Sequence, residues 1–346
     1  MVKLGNCKEQ EPRATKTYTK KIRRRTMQRI LIDTDPGVDD AYAILLAMRS
    51  PELHVAAITT VCGNVPVNQG TQNLLTILGQ LDLDEFPTLA QGEAAPLIKP
   101  LVTAAHVHGD DGLGNTSHLR NTDGGPLYLP ADTYLASISG VDLILEMAGR
   151  YPDELIIVAL GPLTNLAKAI RKDAAKMQRI QKIVVMGGAF EGYGNVTTTA
   201  EFNIFVDPHA AQEVFQFRVP IQIAPLDATH QVVLTGERLR AEVENREDKV
   251  SRFLWDATQV CMEFYRQYVG FWGFHIHDAL PIAMLTHPGY FESIDAHVQV
   301  ETVGDLTEGM TVADLRPERQ PSDPNAQVCV TVATEAFLDT FFERLR

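Results

Sequence analysis

Apolar positions along this chain fall into short β-branched runs separated by stretches with helical spacing. Ile30, Leu31 and Ile32 form a run too short for a helix and read as a buried strand. Ala41, Ile44, Leu45 and Met48 then recur at three- and four-residue intervals, one face of a helix. A second strand covers Val55–Val61 and a helix runs through Thr71–Leu78. Further strands fall at Leu155–Leu160, Ile183–Met186 and Ile221–Ala224, with helical pattern between them. The helix over 164–171 follows Gly161-Pro162, with Thr164 as its candidate cap. This alternation predicts a mostly parallel sheet with helices on both faces.

The pattern changes towards the C-terminus. Val298–Val303 and Val328–Val332 read as strands either side of a polar loop, Pro317–Pro324, and a helix covers Thr334–Leu345. The expected fold class is α/β: an open, Rossmann-like sheet with an antiparallel C-terminal addition. The expected organisation is one domain over 27–346 after a basic, disordered leader over 1–26. In open α/β sheets ligands bind at the carboxyl ends of strands, where Asp33, Asp35, Asn64, Leu160, Gly187-Gly188 and Asp227 all fall.

Charge sharpens this division. The net charge is −13, but residues 1–29 carry ten Lys/Arg against two Glu, or +8, leaving −21 for the rest. An acidic body argues against nucleic acid as a partner. The leader has no apolar core, which argues against a secretory signal. A nucleic-acid arm, an organelle transit peptide and a stretch without function upstream of a start at Met27 all fit its composition, and the last is the plainest. No run approaches the roughly 18 apolar residues of a membrane span. Cys7, Cys62, Cys261 and Cys329 have no paired spacing, so neither disulfides nor zinc are expected and a cytoplasmic location fits.

Candidate chemistry concentrates in Asp33-Thr34-Asp35-Pro36-Gly37-Val38-Asp39-Asp40. Carboxylates this close repel, and a hard divalent cation is the usual compensation. Capping the following helix accounts for Asp39 or Asp40 but not for all four. Three later segments carry weaker signals. His108 lies in a glycine-rich stretch, 107–114, that reads as a loop and fits a surface turn as well as a pocket lid. Asn195, Glu201 and Asn203 suit a hydroxyl-rich ligand, although spacing alone favours an irregular connection. His277-Asp278 opens an apolar helix and pairs a titratable ring with a carboxylate. Phe264, Tyr265, Tyr268, Phe271, Trp272 and Phe274 precede it, either as core or as a stacking surface. The remaining histidines, His106 among them, read as surface or structural groups, with a supporting role open to His230 and a weaker candidacy for His275.

These segments together resemble the nucleoside hydrolases, the inosine–uridine-preferring nucleoside N-ribohydrolase family. The resemblance rests on 33–41, Ile58–Asn64, His108-Gly109, Leu160–Asn165, Met186–Gly188, Ala200–Asn203 and His277-Asp278, in order from about Gln28 to the C-terminus. It implies a Ca²⁺-dependent hydrolase of the N-glycosidic bond of ribonucleosides, assembled as a homodimer or homotetramer. Asp35 would be a Ca²⁺ ligand and the general base on the attacking water. Asp40, the Leu160 carbonyl and Asp278 would complete the metal's protein ligands. Asp39 would hold the ribose 2′-hydroxyl, and Asn64, Asn195, Glu201 and Asn203 the ribose hydroxyls. His277 would be the acid for the leaving base, with His108 a further base-side contact. Leu160 stands where some relatives have Thr, and only its main-chain oxygen is needed.

Two rivals stand beside this reading. An aspartyl phosphatase would also set Asp33 and Asp35 at a strand end, but Pro36-Gly37 follows them and no lysine sits at another strand end. A nucleoside- or calcium-binding protein without turnover would keep the cleft, and the retained Asp35 and His277 argue against it.

Overall fold

The computed structural model describes residues 27–243, 246–316 and 323–346. The basic leader and most of the expected 317–324 loop lie outside the described residues. Among the described residues twelve strands occur in the order β1 (Gln28–Thr34), β2 (Leu53–Thr60), β3 (Thr88–Gln91), β4 (Leu155–Ala159), β5 (Lys182–Met186), β6 (Ile221–Ala224), β7 (Val233–Thr235), β8 (Gly273–His275), β9 (Phe291–Ala296), β10 (Gln299–Val300), β11 (Thr311–Val312) and β12 (Ala326–Val332). Eight form one sheet, β3-β2-β1-β4-β5-β6-β12-β9. All neighbours in it are parallel except β12 and β9.

The two-residue period of a strand sorts its side chains between two cores. Ile30 and Ile32 of β1 pack with helices Val38–Met48, Lys249–Tyr268, Ala279–Thr286 and Thr334–Leu345. Leu31, between them, faces the opposite layer with helices Gly140–Arg150, Thr164–Lys172 and Pro208–Gln216. The central strands are thus buried on both faces, which is why they read as continuous apolar runs.

The C-terminal strands differ from expectation. Val328–Val332 lies in β12, which runs parallel to β6, and the antiparallel member is β9. The sequence of β9, Phe-Glu-Ser-Ile-Asp-Ala, is half polar because this strand forms the sheet's edge. Within 298–303 only Gln299–Val300 is a strand, paired with β11 outside the main sheet. Thr164 is not the cap of its helix. Its hydroxyl donates to Asp207 Oδ2 at 2.7 Å, and Leu163 occupies the cap position without a side-chain bond.

Candidate active site

The carboxyl ends of β1, β4 and β5 meet the start of helix Val38–Met48 and the 277–278 segment around a cavity of about 300 Å³. Asp39, Asn64, His108, Leu160, Asn195, Glu201, Asn203, His277 and Asp278 all line it. Asp35 and Asp40, the other candidates, are buried immediately behind this lining. A larger groove of about 740 Å³ opens at the opposite ends of β5 and β6. Part of its polar lining is paired internally, Lys182 Nζ donating to Gln222 and Gln222 to Gln327.

The four aspartates of the first motif do not act alike. Asp33 stays in the sheet, its Oδ1 accepting from Thr59 Oγ1 at 2.5 Å and Asn165 Nδ2 at 2.7 Å. It ties β1 to β2 and to helix Thr164–Lys172 and takes no part in the cavity. Asp40 folds back on its own turn, accepting from Gly37 N (2.8 Å), Asn64 Nδ2 (3.2 Å) and the Thr34 hydroxyl. It is therefore a helix cap as well as part of the cluster. Asp39, Asp40 and Asp278 each bring an oxygen within 4.8 Å of the others, an arrangement that can hold a metal ion. Asp278 occupies the cap position of helix Ala279–Thr286 but makes no capping bond, so its carboxylate is left for the cluster.

Asp35 stands beside this trio. Its Oδ2 accepts from Asn64 N at 2.8 Å, whereas its Oδ1 is buried with no hydrogen-bond partner. Gly63 and Gly161 press against it from two sides. A Cβ on Gly161 would lie 2.5 Å from Oδ1, and one on Gly63 would overlap the carboxylate. These glycines let the main chain approach Asp35 closely. Gly63→Ala should displace the carboxylate, lowering kcat about 100-fold and, through overpacking, the melting temperature as well. Steady-state kinetics and a thermal melt check this together.

No Lys or Arg pairs with Asp35, Asp39, Asp40 or Asp278 among the described residues. Burial pushes all four carboxyls up from their ordinary range, Asp39 to about 7, and their mutual repulsion adds to the effect at Asp35, Asp39 and Asp278. Buried carboxylates without a cation are costly, and the orphaned Asp35 Oδ1 is an acceptor awaiting a donor or a metal. The donor set, all oxygen, fits a hard divalent cation.

The sugar-side candidates are tied into the fold. Glu201 caps helix Phe202–Val206 and receives the amides of Gly188, Asn203 and Ile204. Asn203 Nδ2 donates to the Leu160 carbonyl at 2.7 Å, fixing that oxygen's direction. Asn195 Oδ1 accepts from Phe202 N at 2.9 Å. Asp227 receives Phe190, Glu191 and Gly192 amides at 2.8–2.9 Å and so holds the loop leading to Asn195.

On the other wall, His108 sits at the end of a short helix, Ala105–His108, where a loop was expected. Burial lowers its pKa from 6.5 to about 4, and burial with three neighbouring imidazoles lowers that of His277 well below 6.5. Both shifts favour the neutral ring. Three histidines read as incidental or minor belong here as well. His106 and His275 line the cavity, and His230 packs on His275 with ring centroids 4.6 Å apart. Their contacts join residues distant in sequence, so no local pattern marks them. Phe264, Tyr265 and Phe274 line the same wall, whereas Tyr268 is 69% exposed and Trp272 packs on Trp255.

Residues 30–339 match the family model described as inosine-uridine preferring nucleoside hydrolase. The chain belongs to that family. This nucleoside hydrolase, an enzyme acting on N-glycosyl bonds, is 38% identical over 289 residues to "Probable uridine nucleosidase 1" of Oryza sativa subsp. japonica, covering 83% of this chain and 85% of that one. It is also 38% identical over 322 residues to "Pyrimidine-specific ribonucleoside hydrolase RihA" of Escherichia coli (strain K12), covering 92% and 98%. Among solved structures it resembles a plant nucleoside hydrolase, PpNRh1, with TM-score 0.83 and 32% identity over 92% of this chain and 99% of that one. A purine-preferring ribonucleoside hydrolase from Gardnerella vaginalis gives TM-score 0.83 and 31% identity over 92% and 98%. Among the described residues no helix is long and apolar enough to cross a membrane.

Proposed function

We propose that this nucleoside hydrolase cleaves the N-glycosidic bond of ribonucleosides to free base and ribose, and that Ca²⁺ is its metal. One observation carries the reading: a buried group of carboxylates with no cationic side chain among the described residues opens into a cavity whose far wall carries imidazoles. Asp35, Asp40, Asp278 and the Leu160 carbonyl are the proposed ligands, and the contact of Asp39 with Asp40 and Asp278 supports a place for it at the same edge. Bound there, Ca²⁺ would offset the carboxylates and anchor both the ribose hydroxyls and the attacking water.

The remaining chemistry belongs to the chain. Asp35, whose buried Oδ1 has no other partner, takes the proton from the attacking water. Asp39 holds the 2′-hydroxyl, and Asn64, Asn195, Glu201 and Asn203 hold the ribose hydroxyls. These carboxylate and amide oxygens also stabilise the oxocarbenium-like ribosyl that forms as the base departs. His277 and His108 face the base. The same reading carries one catalytic domain over 27–346, a cytoplasmic homodimer or homotetramer, and no partner of nucleic acid or membrane.

The test is release of free base and ribose from uridine and inosine in phosphate-free buffer. Hydrolysis that is lost with EDTA supports the proposal. Binding without release would favour a non-catalytic nucleoside-binding protein, and release that requires phosphate would indicate a phosphorylase.

A further inference from the structure

The two imidazoles facing the base are held by protein donors at the same ring nitrogen, and their role towards the base rests on the hydrolase reading. His108 Nδ1 lies 3.1 Å from Val38 N, the first amide of helix Val38–Met48. A backbone amide only donates, so Nδ1 is the bare nitrogen and the proton of the neutral ring sits on Nε2. His277 Nδ1 lies 2.8 Å from Thr229 Oγ1, a contact whose direction the distance alone leaves open. Burial decides it. Thr229 is fully buried, and its hydroxyl has no other hydrogen-bond partner among the described residues. Unless the hydroxyl donates to His277 Nδ1, its proton is buried unsatisfied. Both rings line the cavity, and neither Nε2 is hydrogen-bonded to the described protein.

We propose that Thr229 is a positioning residue that fixes His277 as its Nε2–H tautomer. With the Val38 amide fixing His108 in the same way, the base wall presents two neutral N–H donors to lone pairs on the nucleobase. When the glycosidic bond breaks, its electron pair passes to the base. Hydrogen bonds from fixed donors to carbonyl oxygens or ring nitrogens strengthen as that charge develops, and no imidazolium is required. Thr229 reaches the reaction only through His277. It belongs to the one-turn helix Leu226–Thr229, whose Asp227 holds the sugar-side loop, so one short element sets both walls.

The test uses the full chain with its metal. Thr229→Val keeps the volume and removes the donor. The kcat for uridine should fall about tenfold or more, the worth of one hydrogen bond in the transition state. KM should stay within about twofold, and p-nitrophenyl riboside, whose leaving group is already activated, should lose less than about twofold. Thr229→Ser should restore the uridine rate. Long-range ¹H–¹⁵N correlation spectra should show the Nε2–H tautomer for both rings in the wild type and a mixture for His277 alone in Thr229→Val. A wild-type His277 protonated on Nδ1, equal losses on the two substrates, or Thr229→Ser no better than Thr229→Val would each overturn the proposal. Absence of hydrolysis by the wild type would overturn the hydrolase reading instead, and the wild-type spectrum would still uphold or overturn the tautomer assignment.

Discussion

Asp35→Asn is expected to lower kcat for uridine about 1,000-fold while leaving the melting temperature of the metal-free protein unchanged or raised. The asymmetry of the carboxylate explains both halves. Asp35 Oδ2 receives the Asn64 amide, so an asparagine there must turn its oxygen towards Asn64 and its amide group to the place of Oδ1. The buried acceptor is then replaced by a donor, and neither proton abstraction nor metal ligation survives at that position. Removing a charge that burial and the repulsion of Asp40 and Asp39 already penalise relieves strain in the fold. Kinetics beside a thermal melt provide the check. Retention of more than about a tenth of wild-type activity would remove Asp35 as the base, since removing a general base ordinarily costs at least about 100-fold.

Chelation should have the second large effect, and its size depends on pH. The folded-state pKa values of Asp35, Asp39, Asp40 and Asp278 are raised from the ordinary 3.8, Asp39 to about 7. A raised carboxylate contributes stability below its unfolded pKa and loses it as pH rises through the folded value. These carboxyls therefore favour the metal-free fold at pH 5 over pH 8, while the buried histidines, whose pKa values are lowered, act in the opposite direction. On the proposed reading Ca²⁺ would bind the ionised cluster, so its stabilisation should be large at pH 8 and small at pH 5. At a hundredfold excess over Kd that stabilisation is about 2.7 kcal/mol. Melts in EDTA and in Ca²⁺ at the two pH values check the prediction. A Ca²⁺ stabilisation no larger at pH 8 than at pH 5 would contradict it.

Much of this was legible from residue order because the relevant signals are local. The two-residue period of β1, the helical spacing after Val38 and the packed aspartates are each written within a few positions. The sheet's parallel centre followed from the same signals. The edge strand β9 did not, because an edge needs only half its residues apolar. The fate of Asp33 was hidden as well. Two carboxylates two residues apart on a strand look equivalent, and only Asn165 and Thr59, far away in the chain, draw one of them into the sheet. The gathering of His230 and His275 against His277 depends on β8 pairing with β7, a contact between segments about forty residues apart with no short-range mark. Thr229 looks like an ordinary helix residue in sequence, and its significance lies entirely in what its hydroxyl touches.

The central claim is that the acidic cluster at the end of β1 exists to hold a divalent cation. Calorimetric titration of Ca²⁺ into metal-free protein tests it most directly, with Asp278→Asn as the control. The account predicts one ion bound per chain in the wild type and at least a tenfold weaker site in Asp278→Asn. No binding heat in the wild type, or equal binding by both proteins, would contradict it.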